Sequence, residues 1–161
     1  MSSPTLSSDT RIEPAILADL SELTDLVMSL LDEEQDFIPD RTKQQHGLKL
    51  ILEQPNRGRI FVLRNDHSII GMVNLLFTIS TAEGDFVILM EDVIVHPMHR
   101  AQGYGSRLLK HAIEFATEKQ FKRITLLTDK ISAESQRFFQ KNGFQFSHMI
   151  PMRLLMDDGG N

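Results

Sequence analysis

The amino-acid sequence predicts an α/β protein with a mixed central sheet and helices on both of its faces. Apolar residues recur at helical spacing in the first third of the chain and again after residue 103. Three nearly continuous apolar runs lie between these regions, and such runs are typical of central strands covered on both faces. The chain has 161 residues, 41% hydrophobic and 24% charged, which is enough to form a folded domain with a substantial core.

Two helices are predicted in the N-terminal third. The first spans about 15–31 and places five apolar residues near helical spacing: Ile16, Leu20, Leu23, Val27 and Leu30. Pro39 makes a helix unfavourable through the segment that follows. The second helix is therefore predicted over about 41–53.

The middle of the chain changes to the pattern of strands. Residues 59–64 and 68–79 are apolar runs separated by the short turn "NDH", which predicts an antiparallel pair. A third strand is predicted over 85–95, after the turn "TAEG".

The last third alternates between helices and strands. Helices are predicted over about 103–119 and 132–142, the second closed by Gly143, and strands over 122–128 and 144–156. A strand–helix–strand order within one sheet favours parallel pairing of the strands at 85–95 and 122–128.

The termini and the overall composition limit the class of protein. Residues 1–9 are polar and predict a flexible lead, and residues 157–161 a flexible tail, which leaves 10–156 as one domain. No charged leader precedes an apolar core, and no apolar run reaches the roughly 18 residues of a membrane helix, so we expect a cytoplasmic protein without a membrane partner. The net charge of −5 argues against a nucleic-acid partner.

No metal site is predicted. The chain contains no cysteine, which excludes disulfides, thiolate ligands and a cysteine nucleophile. His96 and His99 have a His-x-x-His spacing, but no acidic or cysteine pattern accompanies them.

The stretch "RAQGYG", residues 100–105, predicts a phosphate site. It lies between the third strand and a helix, and a helix N-terminus exposes unpaired amides at the positive end of the helix dipole. Gly103 and Gly105 lack the β-carbons that would keep a phosphate from these amides, and Arg100 could add a charge-assisted contact. A closely packed turn is the alternative. The third glycine of a dinucleotide fingerprint is absent, since Leu108 stands there, and no P-loop lysine follows.

"RAQGYG" resembles the Arg/Gln-x-x-Gly-x-Gly/Ala signature of the GNAT superfamily of acetyl-CoA-dependent N-acetyltransferases. "SAESQRFFQKNGF", residues 132–144, resembles that family's Asn-x-x-Ala-x-x-Phe-Tyr-x-x-x-Gly-Phe segment at the expected spacing. The order of elements agrees from about residue 10 to residue 156. The resemblance implies the GNAT fold, with a mixed sheet of six to seven strands whose fourth and fifth strands splay apart.

The resemblance also implies acetyl-CoA as the cosubstrate. The pyrophosphate is then expected on the turn formed by Arg100, Ala101, Gln102, Gly103, Tyr104, Gly105 and Ser106. The pantetheine arm is expected to pair with the backbone of Val93, Ile94 and Val95, as a strand adds to a sheet edge. Ser132 replaces the family's asparagine and keeps a hydroxyl for CoA.

Acetylation of an amine requires a proton acceptor, because an amine of pKa about 10.4 is mostly protonated at neutral pH. Glu91 and Asp92 interrupt the apolar strand at 85–95, and strict alternation would place Glu91 on the side of Leu89, Val93 and Val95. A partly buried carboxylate has a raised pKa and could act as the base. The resemblance implies Glu91 as that base, since many GNAT enzymes carry a catalytic glutamate on strand 4. Asp92, a water relay and a purely structural role for the pair remain open.

Phe139 departs from the family pattern. Many members have a tyrosine there that protonates the leaving CoA thiolate, and phenylalanine cannot donate a proton. Without cysteine, the sequence favours direct attack on acetyl-CoA in a ternary complex, with a small-molecule amine or a protein amine as acceptor. A non-catalytic acyl-CoA sensor is the alternative. The acidic run at residues 32–36 is either a solvated helix end or part of the acceptor site, and a homodimer is the common state of the family.

Overall fold

The computed structural model describes residues 9–31 and 38–156. The acidic run at 32–36, the tail at 157–161 and the lead apart from residue 9 lie outside the described residues. The chain folds into two compact units, Met1–Leu127 and Thr128–Asn161, which are described in turn. The assignment of residues 10–156 to a single domain stays a prediction.

The first unit contains three helices and five strands among its described residues. In chain order these are β1 Arg11–Pro14, α1 Leu20–Leu31, α2 Arg41–Leu52, β2 Gly58–Arg64, β3 Ile69–Ser80, β4 Asp85–Val95, α3 Tyr104–Glu118 and β5 Ile124–Leu126. Short 3₁₀ turns at Leu17–Asp19 and Pro97–His99 precede α1 and α3. The predicted strand at 85–95 matches β4 in both bounds. The three predicted helices of this unit are confirmed, but α1 begins at Leu20 rather than at about residue 15, after the 3₁₀ turn.

The five strands form one mixed sheet in the order β1-β2-β3-β4-β5. The first four run antiparallel to their neighbours, whereas β5 is parallel to β4, as predicted. The predicted number of six to seven strands is wrong for the described residues, which form five. The sequence reading also missed β1, because a four-residue edge strand that ends in proline carries too few residues to show a strand pattern.

Helices cover both faces of the sheet, as predicted. On one face, α1 and α2 pack on a core of buried apolar residues: Leu23, Leu26, Val27, Leu48, Ile60, Val62, Ile69, Met72 and Ile94. On the other face, the Phe61 ring lies 4.5 Å from the His111 ring and 5.2 Å from the Phe115 ring of α3. A β-carbon on Gly71 would stand 3.0 Å from Leu108 of α3, so the helix approaches β3 closely there.

A buried ion pair ties the start of α1 to β2. Arg64 donates two hydrogen bonds to Asp19, at 2.9 and 2.7 Å, and the backbone N–H of Ile16 donates a third at 2.9 Å. Asp19 is 5% exposed. Desolvation opposes ionisation of this carboxyl, but the bonds from Arg64 and Ile16 outweigh it and lower the pKa of Asp19 below its usual value.

We expect Asp19→Asn to lower the free energy of unfolding by about 2 kcal/mol at pH 7, because it removes the charged partner of two hydrogen bonds and leaves the Arg64 guanidinium with Glu13, 2.7 Å away, as its remaining carboxylate. A carboxyl with a depressed folded pKa stabilises the protein above its unfolded pKa of about 3.9. That contribution disappears as the pH falls through the folded pKa. Urea unfolding at several pH values should therefore show the difference between wild type and variant shrinking in acid, and a constant difference would contradict this account.

The C-terminus of α3 is closed by a residue other than glycine. Gln120 has a φ of +64°, in the left-handed region. Its N–H donates to the carbonyl of Thr117 at 3.1 Å, and the N–H of Phe121 donates to the carbonyl of Ala116 at 2.9 Å. These two bonds form a Schellman motif, in which glycine is usual at the left-handed position.

Gln120→Gly should raise the free energy of unfolding by about 1 kcal/mol, because the left-handed conformation costs a residue with a β-carbon roughly that much. Chemical denaturation measures the change. Gln120→Ala is the matched control and should leave stability nearly unchanged, since alanine keeps the β-carbon. Equal stabilisation by both substitutions would show that the backbone conformation is not the cause.

The second unit contains one described helix, α4, Ala133–Lys141. Gly143 follows it with a φ of +96°, and the N–H of Phe144 bonds the carbonyl of Phe139, which confirms the predicted glycine stop. The predicted strand at 144–156 is wrong, because these residues form no ladder in the described chain. Pro151 lacks the N–H that a ladder requires, and the apolar side chains of this segment are largely exposed.

Candidate active site

Strand β4 contains a β-bulge in its second half. Asn74 of β3 lies opposite Asp92, and the next residue of β3, Leu75, lies opposite Met90. Two residues of β4, Glu91 and Asp92, therefore stand where β3 has one, and such a bulge bends the strand and redirects its side chains. Glu91 is exposed.

Because of the bulge, the predicted assignment of the β4 side chains to the two faces of the sheet is wrong. Strict alternation placed Glu91 and Leu89 on one side with Val93 and Val95. The β3 residues opposite Leu89 and Val93 are three positions apart, an odd number, so these two side chains point to opposite faces. The extra residue at the bulge shifts the phase of alternation by one, which the sequence pattern of a single strand does not reveal.

The second half of β4 has an open backbone edge. The parallel ladder with β5 involves only Ile88, Leu89 and Met90 of β4, although β4 continues to Val95. Among the described residues no strand pairs with residues 91–95 on the β5 side, which fits the predicted splaying of strands 4 and 5. Val93, Ile94 and Val95, predicted to pair with pantetheine, lie in this open stretch.

A turn with two left-handed residues leads from this edge to α3. Ala101 has a φ of +62° and Gly103 a φ of +81°. Gly103 is the N-cap residue of α3, and a β-carbon built on it would meet no atom within 4 Å. The backbone conformation therefore favours glycine here, and the space beside it is open to a ligand.

The N-terminus of α3 offers amides to an anion. No side chain from the described part of the chain caps this helix start, and the carbonyl of Gly103 accepts the first helical bond, from Arg107 at 3.2 Å. The N–H groups of Tyr104, Gly105 and Ser106 belong to the first turn, where an α-helix supplies no acceptor. Arg100 donates to the carbonyl of Val95 at 3.4 Å, so its guanidinium lies where the open edge of β4 meets the turn. This arrangement suits a phosphate group.

Beside the bulge, a buried amide holds a carboxyl group. Asn74 is 4% exposed, and its Nδ2 donates to Oδ2 of Asp92 at 3.1 Å. Burial raises the pKa of the Asp92 carboxyl, and the bond from Asn74 offsets only part of that effect. Sequence reasoning left Asp92 open as a base but missed Asn74, whose signal is a lone asparagine inside an apolar strand.

Two residues considered from the sequence belong to the second unit. Ser132 caps α4, since its Oγ accepts from the N–H of Ser135 at 3.2 Å. The Phe139 ring packs 5.2 Å from Phe138 and 5.9 Å from Phe144. A contact of Ser132 with CoA stays a prediction.

The two histidines considered as metal ligands lie in the turn between β4 and α3. Nδ1 of His96 accepts from the N–H of Met98 at 3.1 Å, and its ring lies 5.8 Å from that of His99. Within residues 9–31 and 38–156, no group of three or more His, Cys, Asp or Glu side chains is placed to hold a metal ion. In the same ranges, no helix combines the length and the apolar character needed to span a membrane.

The sheet is mixed, and its bulged fourth strand parts from a parallel fifth strand. A glycine turn leads from the fourth strand into a helix. Together these features define a GNAT-like α/β fold. The sequence model described as "Acetyltransferase (GNAT) family" matches residues 23–144. The chain belongs to the GNAT acetyltransferase family.

Three known proteins illustrate the similarity. The aminoalkylphosphonate N-acetyltransferase of Salmonella typhimurium is 27% identical over 134 residues, which cover 83% of this chain and 84% of that protein. The uncharacterized N-acetyltransferase YhfO of Bacillus subtilis is 27% identical over 53% of this chain, and the match spans 58% of its length. The structure of aminoglycoside N-acetyltransferase AAC(6')-Iy in complex with CoA has a TM-score of 0.76 at 18% identity, covering 92% of this chain and 95% of that one.

Proposed function

We propose that this protein transfers an acetyl group from acetyl-CoA to a primary amine by direct attack in a ternary complex. GNAT acetyltransferases use acetyl-CoA, and the chain belongs to that family. The observation that carries the proposal is the open edge of β4, which continues through the left-handed turn to the uncapped N-terminus of α3. An elongated ligand with a peptide-like arm and a pyrophosphate matches both ends of this path.

The residues of the path divide between the two parts of the cosubstrate. The turn and the first turn of α3 would bind the pyrophosphate: Arg100, Ala101, Gln102, Gly103, Tyr104, Gly105 and Ser106. The open edge would pair with the pantetheine arm through Val93, Ile94 and Val95. Ser132 is proposed as a further contact of CoA. The cosubstrate supplies the activated acetyl thioester, and the protein supplies orientation and the handling of protons.

Glu91 is the proposed base. The bulge sets Glu91 and Asp92 opposite one residue of β3, and Glu91 stands where the open edge begins. An exposed carboxylate at this point can pass a proton from the acceptor amine to solvent. Backbone amides of β4 beyond the bulge would polarise the thioester carbonyl and stabilise the oxyanion of the tetrahedral intermediate.

The family and a relative whose match covers 83% of this chain support a proposal for the acceptor class. The Salmonella relative is named an aminoalkylphosphonate N-acetyltransferase, and AAC(6')-Iy an aminoglycoside N-acetyltransferase. We therefore propose a small-molecule primary amine, with a protein amine as the alternative acceptor.

The test titrates dialysed protein with acetyl-CoA by calorimetry and then follows thiol release on a panel of amines. The panel includes aminoalkylphosphonates, aminoglycosides, polyamines, amino acids and a peptide with a free N-terminus. Saturable binding and turnover on at least one amine are expected. Binding without turnover on any amine would favour a non-catalytic acyl-CoA sensor, a reading suggested by Phe139 in place of a proton-donating tyrosine. Absence of acetyl-CoA binding would contradict both functions.

A further inference from the structure

The pair formed by Asn74 and Asp92 contains an unsatisfied buried acceptor. Three buried residues are polar or charged in the described part of the chain: Asp19, Thr24 and Asn74. Asp19 is paired with Arg64, and the Thr24 hydroxyl donates to the carbonyl of Leu20 at 2.6 Å. Of the three, only Asn74 keeps a buried polar atom, Oδ1, without a hydrogen-bond partner. Leaving such an atom unpaired costs about 1–3 kcal/mol, so it calls for an explanation.

The pair lies on the face of the sheet that α1 and α2 cover. Asn74 stands two positions after Met72, and Asp92 stands two positions before Ile94, and both of these apolar residues belong to the core under α1 and α2. Asp92 is only partly buried, in contrast to Asn74. The carboxyl group is therefore desolvated but remains at the border of the core, next to the bulge.

The unsatisfied oxygen finds a donor when Asp92 is protonated. An ionised carboxylate only accepts hydrogen bonds, so it offers nothing to Oδ1 of Asn74. A protonated carboxyl has one O–H donor, and an acid and an amide can form a cyclic pair with two hydrogen bonds. The observed bond from Nδ2 of Asn74 to Oδ2 of Asp92 is one half of such a pair. Burial also favours the protonated form, since it raises the pKa of Asp92.

We propose that Asp92, positioned by Asn74, accepts one of the two protons that the acceptor nitrogen loses and returns it to the CoA thiolate. This inference rests on the proposed acetyl transfer. The ammonium group loses one proton to become a nucleophile, the nitrogen bonds the thioester carbon, and the nitrogen then loses its second proton. The carbon–sulfur bond breaks with its electron pair on sulfur, and the thiolate takes a proton. One proton is left over for solvent, and the exposed Glu91 can release it.

A carboxyl group that carries a proton would also take over the role of the tyrosine that many family members have at the position of Phe139. The thiolate is a stronger base than a carboxylate, so a neutral carboxyl group can protonate it. Asp92 would leave that step ionised, ready to accept a proton from the next acceptor. Asn74 touches neither substrate in this scheme and acts as a positioning residue through its bond to Asp92.

The two helices that cover the face of Asp92 carry charged residues of both signs. Helix α1, which packs against β4, carries Glu22 and Asp25 as its charged residues, and Glu91 is the neighbour on β4 itself. Glu22 accepts from the N–H of Ile69, and Asp25 pairs with Arg41. Strands β3 and β5 carry no charged residue, and α3 packs on the opposite face. Helix α2, on the same face, carries Arg41, Lys43, His46 and Lys49, and burial is the cause that raises the pKa of Asp92.

The test compares Asp92→Asn with a swapped variant, Asn74→Asp with Asp92→Asn. The first substitution keeps the size of the side chain and should lower kcat about 100-fold with the Kd for acetyl-CoA unchanged. The swapped variant retains one carboxyl and one amide across the same strands. It should stay as slow as Asp92→Asn, because its carboxyl is on the wrong strand. A structural role would predict recovery.

The pH dependence supplies a second readout. In the wild type, kcat/KM should rise with pH through the raised pKa of Asp92, because the ionised form accepts the proton, and Asp92→Asn should lose this limb. Carbon-13 NMR of the labelled aspartates should show the Asp92 carboxyl titrating above the reference value of about 3.9. Thr24→Val removes another buried polar group and should leave turnover unchanged.

The outcomes separate this inference from the proposed function. Wild-type turnover with an unchanged rate for Asp92→Asn would overturn the role of Asp92 and leave acetyl transfer intact. Recovery of activity in the swapped variant, or an Asp92 carboxyl that titrates at or below its reference value, would also overturn it. Absence of wild-type turnover on every amine would overturn both proposals together.

Discussion

Replacement of Glu91 by glutamine should lower kcat by about 100- to 1000-fold while the Kd for acetyl-CoA stays within a factor of two. Glutamine keeps the length of the side chain and its position in the bulge but cannot accept a proton at neutral pH. The loss should therefore appear in kcat rather than in cosubstrate binding. Thiol-release assays at saturating acetyl-CoA measure kcat, and calorimetry measures the Kd for acetyl-CoA.

Asp85→Asn is the matched control for this substitution. Asp85 is an exposed carboxylate on the same strand, at the end remote from the bulge, and it makes a local bond to the N–H of Phe86. Its replacement by an amide should leave turnover near the wild-type value. A Glu91→Gln enzyme that turns over like the wild type at all pH values would reject Glu91 as the base.

Gly103→Val should weaken acetyl-CoA binding about 100-fold, which corresponds to roughly 2.8 kcal/mol. Two effects combine. The branched side chain would occupy the open space beside the α3 N-terminus, and a φ of +81° is unfavourable for a β-branched residue. Calorimetric titration with acetyl-CoA and with CoA measures the loss, which should be similar for both because the proposed position of the acetyl group is at the other end of the path.

Gly84→Val is the control that separates the effect of backbone strain from the effect of a side chain in the ligand space. Gly84 also has a left-handed conformation, with a φ of +70°, and a β-carbon there would likewise meet no atom within 4 Å. It lies in the turn between β3 and β4, away from the α3 N-terminus. This variant should lose stability to a similar degree but bind acetyl-CoA normally. Equal affinities for the wild type and Gly103→Val would refute the assignment of the turn to the pyrophosphate.

The central strands could be predicted from the sequence because burial on both faces leaves a clear record. The runs at 59–64, 68–79 and 85–95 each contain consecutive apolar residues rather than a strict alternation, and each corresponds to an observed strand. The helices were found for a similar reason, since α1 and α3 each bury one apolar stripe. The turn before α3 was recognised because glycine at two nearby positions is a costly choice unless the backbone requires it.

The predictions that failed concern features that depend on how strands pair, and a local sequence pattern contains no information about that pairing. The bulge at Glu91 arises from the register between β3 and β4, and β4 alone reads as an ordinary strand. The apolar segment at 144–156 has the composition of a strand but forms no ladder. Asn74 was missed because its partner, Asp92, lies 18 positions away along the chain and beside it across the sheet.

The bulge also makes β4 a strand with two halves that can change independently. The half before Glu91 pairs with β3 on one side and with β5 on the other, whereas among the described residues the half after it pairs with β3 only. Substitutions in residues 92–95 therefore leave the seam with β5 untouched. A segment grafted here from a relative could alter what the protein recognises without re-registering the sheet, provided that the inserted residues are aligned to β3 rather than counted from the first half of the strand.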